Sequence, residues 1–123
     1  MKKLSLVTAF ALYFMFISAA FTQQATYTAK NFYDGIKNKS VSFDYNQRVT
    51  ITGILKEKGT STFYNSAYLL ISDSKDGYVY VKAVLSDKTT VHQYIRGQAV
   101  KIDAKFYQER ANVIVLKDAK AME

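Results

Sequence analysis

The residues of this sequence best suited to chemistry are aromatic side chains set among cations. Tyr78, Tyr80 and Lys82 occupy every second position of GYVYVKAVLSD, and Tyr68 stands in the apolar run before it. Phe63 and Tyr64 interrupt the polar stretch GTSTFYNS, while Lys105, Tyr107 and Arg110 follow one another through KFYQER. Flat rings interleaved with cations suit a ligand that offers a face to stack and a negative charge to pair, as when stacked bases gain about 1–3 kcal/mol each. These residues form the candidate ligand-binding set. The same pattern also suits plain architecture, because tyrosine is a preferred strand residue and strand lysines protect edges from aggregation.

A catalyst needs a nucleophile beside its base, a carboxylate pair or a metal. The chain has no cysteine, so disulfides, thiolate metal ligands and a cysteine nucleophile are excluded, and His92 is the single histidine. Asp73, Asp76 and Asp87 are too sparse for a calcium loop, and DSKDG reads as a turn. No phosphate-cradling glycine loop and no G-x-S-x-G occurs. The expectation is a binding protein that is no enzyme and uses no metal or cofactor.

Seventeen basic against ten acidic residues give +7; without Lys2 and Lys3, fifteen against ten leave +5. That excess favours anionic partners such as nucleic acid, anionic lipid or acidic polysaccharide. Lys2 and Lys3 precede an uncharged, mostly apolar run over 4–20, with Ser18 and Ala20 as small residues at its exit. This pattern predicts a secretory signal peptide over 1–22, cleaved after Ala20 or Thr22. Left in place, an apolar run of about 17 to 20 residues could anchor the chain in a membrane. Export without cysteine points to a bacterial periplasmic or secreted protein, with 23–123 as a single domain.

Alternation supplies the elements that must position the candidates. Ala29, Phe32, Tyr33 and Ile36 fall at helical spacing behind a Thr28 cap, predicting a helix at about 28–38. Strands are predicted over 48–58, 67–72, 78–85, 99–108 and from 113 toward the carboxyl terminus. Gly53 marks a bend in the first. In the third, Val79, Val81, Ala83 and Leu85 are expected inside, with Tyr78, Tyr80 and Lys82 outside. In the fourth, Val100, Ile102, Ala104 and Phe106 alternate with outward Lys101, Asp103, Lys105 and Tyr107. Between these two, Asp87 or Thr89 can cap a short helix carrying Val91, Tyr94 and Ile95, stopped at Gly97.

Strand, strand, strand, short helix, strand, strand is the order of the OB-fold: an all-β, five-stranded Greek-key barrel, here preceded by an N-terminal helix. Pattern alone leaves SH3-like and other small barrels open. The segments RVTITGIL, YLLISDS, YIRGQAVKIDAKF and NVIVLKDAKAM resemble the exported OB-fold proteins of the tRNA_anti-like family. In that family a v-x-v-x-G first strand, a G-x-x-V-x-V fourth strand and a v-x-L-x-D-x final strand recur. YLLISDSKDGYVYVKA is also similar to the hairpin of the periplasmic bacterial OB-fold proteins known as BOF proteins. The likeness covers about 29–122. Where members of the first group often carry a cysteine near the end of the last strand, this chain has Ala119.

OB-folds bind oligonucleotides or oligosaccharides on the face of strands two and three and with the loops joining strands one to two and four to five. The candidate residues fall on that face and those loops. The expected function is therefore an exported binding module for an extended or anionic ligand, or for an envelope protein. Single-stranded DNA or RNA is the alternative partner.

Overall fold

A computed structural model describes residues 25–122. The signal or anchor segment expected over 1–22 lies outside them. Among the described residues no helix is long and apolar enough to cross a membrane.

Strands with one apolar face must bury it, and five of them do so here by closing into a barrel. They are β2 (Arg48–Ser61), β3 (Ser66–Ser72), β4 (Val81–Leu85), β5 (Ala99–Glu109) and β6 (Ile114–Ala121). β2 pairs antiparallel with β3, β3 with β4, β6 with β5 and β5 back with β2. β4 and β6 run parallel. That closed order, with the fifth barrel strand inserted between the third and fourth, is the OB-fold. Val49, Ile51, Leu69, Ile71, Val81, Ala83, Ile102, Ile114 and Leu116 fill the interior.

β2 serves both halves of the barrel. Residues up to Ile54 pair with β5, and from Ile54 onward the strand pairs with β3. Gly53 stands at this changeover. A Cβ there would lie 2.6 Å from Ile71 Cγ2 and 2.6 Å from the Ser72 carbonyl oxygen. The bend expected at Gly53 is thus a point where β3 presses on β2, and a β-bulge between Leu55 and Glu57 follows it.

Two short helices complete the domain. In α1 (Ala29–Lys37), Thr28 Oγ1 accepts a hydrogen bond from the Asn31 amide at 3.1 Å, as its position before the helix predicts. Ala29, Phe32 and Ile36 are buried, and the Phe32 ring packs 5.8 Å from Tyr27 and 5.0 Å from Phe43. A 3-10 helix (Lys88–Gln93) joins β4 to β5. Lys58 Nζ holds its end by donating to the Val91 and Tyr94 carbonyls at 3.2 and 2.7 Å.

Four features depart from the alternation pattern. First, β1 (Thr26–Thr28) pairs parallel with Thr50–Thr52 on the edge of β2 that β3 leaves open, and three residues carry no readable period. Second, the third barrel strand begins at Val81 rather than at residue 78. Tyr80 keeps backbone bonds to Ile71 and Ile114, but its side chain packs against the core edge while Val79 lines an outer hollow with Leu70. The expected inward Val79 and outward Tyr80 are therefore reversed, because the pleat is not continued before Val81. Third, the connecting helix ends at Gln93, so Tyr94 is buried but Ile95 is exposed. Fourth, Asp103 is buried on the outer face of β5 and ion-pairs with Arg48. Met122 folds back nearby, its amide bonded to the Lys101 carbonyl and its sulfur accepting from Thr50 Oγ1.

Candidate ligand groove

The outer face of β3 and β4 is built by cross-strand pairs: Tyr68 opposes Val84, and Leu70 opposes Lys82. Tyr68 lies down across β2 because its partner there is Gly59. A Cβ on Gly59 would sit 2.5 Å from the Tyr68 hydroxyl oxygen. An aromatic ring laid over a strand glycine covers backbone that has no side chain of its own. The Lys82 ammonium stands 4.6 Å from the centre of the same ring, within cation–π range. Ring and cation are thus fixed to each other by three neighbouring strands.

This face floors an open groove of about 790 Å³. One end is the β2–β3 hairpin, where Phe63 and Tyr64 stand 86% and 76% exposed with ring centres 4.9 Å apart. The other end is formed by Tyr107 and Arg110 at the β5–β6 turn and by Lys117 on β6. Tyr107 points outward, as alternation with Phe106 predicts, and stands at a bulge where the β5–β6 register shifts between Phe106 and Gln108. With the Gln108 amide oxygen turned toward it, Arg110 donates from Nε and Nη2 at 2.6 and 2.9 Å.

Charge is one-sided here. Lys82, Arg110 and Lys117 line the groove, none of its lining residues is acidic, and none of the three cations is in an ion pair among the described residues. Thr60, Ser61, Thr62 and Ser66 add a hydroxyl-rich wall. The arrangement supplies flat apolar faces, hydrogen-bonding hydroxyls and uncompensated positive charge along one channel.

Six of the expected ligand-binding residues therefore meet in the groove: Phe63, Tyr64, Tyr68, Lys82, Tyr107 and Arg110. Tyr78 and Tyr80 do not join them. Their rings lie 5.8 and 5.2 Å from Tyr33 of α1, and the Tyr78 hydroxyl donates to the Asn112 carbonyl at 2.5 Å. Interaction with Tyr33 and then burial hold the Tyr78 phenol above its ordinary pKa. Lys105 turns its ammonium to Asp118, 3.7 Å away. Lys117, Val84 and Val115 line the groove without having been singled out; Lys117 and Val115 were readable as outward positions beside inward Ile114 and Leu116.

The remaining candidates for chemistry are dispersed. His92 is exposed on the 3-10 helix. Asp87 caps that helix, and the hydroxyl and amide of Thr89, at 2.6 and 3.0 Å, hold its carboxyl below the usual carboxylate range. Among the described residues no group of three His, Cys, Asp or Glu side chains could hold a metal ion. No protein-family model and no curated protein matches this sequence.

Proposed function

We propose that this protein is an exported, non-catalytic OB-fold binding module that holds an extended anionic ligand in the groove over β3 and β4. One observation carries the reading. Among the described residues, three cations without carboxylate partners and four exposed or half-exposed rings line one channel that contains no acidic residue. A protein that used this face only as surface would lose little by placing carboxylates there, since exposed ion pairs add roughly 0–1 kcal/mol each. The basic start followed by an apolar run supports export.

The test is a titration of the wild type and of a Tyr68→Ala, Lys82→Ala double variant with an acidic oligosaccharide. Loss of an exposed charge contact and a stacking ring, about 1 kcal/mol each, is expected to weaken binding by tenfold or more. Raising salt is expected to weaken wild-type binding as well. A folded double variant with unchanged affinity would remove the assignment. Single-stranded nucleic acid on the same surface is the second reading, favoured by the Tyr68–Lys82 stack. Oligo-dT in the same titration separates the two.

A further inference from the structure

Next to Tyr107 stands an exposed ring that the groove as described does not include. Tyr45 is 60% exposed, and its ring centre lies 6.0 Å from that of Tyr107. Lys117 stands beside both, its Nζ 4.1 Å from the centre of the Tyr45 ring and 6.0 Å from that of Tyr107, and it donates to the Tyr45 hydroxyl at 2.7 Å.

The segment that carries Tyr45 is a built turn. The Gln47 amide donates to the Asp44 carbonyl at 2.9 Å, and the Asp44 amide donates back to Gln47 Oε1 at 3.0 Å. The turn is stitched to β5 beside Tyr107 by Asn46 N–H to the Phe106 carbonyl and Phe106 N–H to the Gln47 carbonyl, at 2.9 and 2.8 Å. Asn46 takes a left-handed conformation to complete it. These bonds hold a large aromatic side chain in water, where it buries little and stabilises little. A ring fixed in that way beside a cation is a preorganised contact.

We infer that Tyr45, Lys117 and Tyr107 form a second binding station, so that the ligand runs from the Phe63–Tyr64 hairpin across Tyr68 and Lys82 to Tyr45, and that the ligand is an acidic oligosaccharide. This rests on the groove reading above. The ligand class follows from the lining: Thr60, Ser61, Thr62 and Ser66 match a chain rich in hydroxyls, the rings match the apolar faces of sugar rings, and Lys82, Arg110 and Lys117 match spaced carboxylates. A ligand long enough to reach both stations gains affinity from the second without a second loss of translational freedom.

Titration of the full protein with oligogalacturonides of increasing length tests this, with oligo-dT alongside. Wild-type affinity is expected to rise with oligogalacturonide length. Tyr45→Ala is expected to weaken binding of the longest oligomer roughly threefold to tenfold and to leave a disaccharide unaffected, while Tyr45→Phe retains the gain. Thermal melting shows whether the turn survives each change. If Tyr45→Ala leaves the long oligomer's affinity unchanged, the groove ends at Tyr107 and this inference fails, while the Tyr68 and Lys82 site stands. Preferential binding of oligo-dT overturns the ligand class in favour of single-stranded nucleic acid. Binding of neither polymer overturns the groove reading and this inference together.

Discussion

Gly53→Ala adds one methyl group at the point where β2 passes from β5 to β3. Its Cβ would stand 2.6 Å from Ile71 Cγ2 and 2.6 Å from the Ser72 carbonyl oxygen. Neither neighbour can retreat cheaply. Ile71 is fully buried in the barrel, and Ser72 is held in register opposite Ile54. Overpacking of this kind costs about 1–3 kcal/mol, and a backbone atom among the clashes puts the cost near the upper end. Alanine recovers about 0.5–1 kcal/mol of the entropy glycine loses on folding. The net loss is about 2 kcal/mol, which for a domain of this size lowers the melting temperature by roughly 8 to 16 °C. Thermal and urea unfolding followed by circular dichroism measures it. A Gly53→Ala variant as stable as the wild type would refute the close approach of β3 to β2 and the changeover built on it.

Gly59→Val tests the other strand glycine in a different way, because its Cβ meets the movable Tyr68 ring rather than backbone. The variant is expected to stay folded and to lose as much affinity for an acidic oligosaccharide as Tyr68→Ala does, with isothermal titration as the check. Asp87→Asn removes a carboxylate whose pKa is held down by Thr89. A depressed folded-state pKa stabilises the protein above the unfolded value of about 3.9 and loses that contribution as pH falls through the folded value. Melting temperatures of variant and wild type should therefore differ at neutral pH and converge below about pH 4.

Alternation made most of the barrel readable. The inward residues of β2 and β5 are where the period of two puts them, and Thr28 caps α1 as its hydroxyl and position predict. What the sequence concealed depends on contacts between distant segments. β1 owes its existence to an open edge of β2. Tyr78 and Tyr80 look like groove residues until α1, more than forty positions earlier, brings Tyr33 against them. Asp103 alternates like an exposed residue but is buried near Arg48 and the chain end. The groove itself was half legible. Tyr68, Lys82 and Tyr107 follow from the pleat, whereas Tyr45 depends on a turn stitched to β5.

The most direct measurement of the central claim is a nuclear magnetic resonance titration of the isotope-labelled protein with an acidic oligosaccharide. The account predicts that shifts concentrate at Phe63, Tyr64, Tyr68, Lys82, Tyr107 and Arg110, with Tyr33, Tyr78, Tyr80 and His92 unmoved. Shifts centred on the Tyr33–Tyr78–Tyr80 cluster, with the β3–β4 face unchanged, would contradict it.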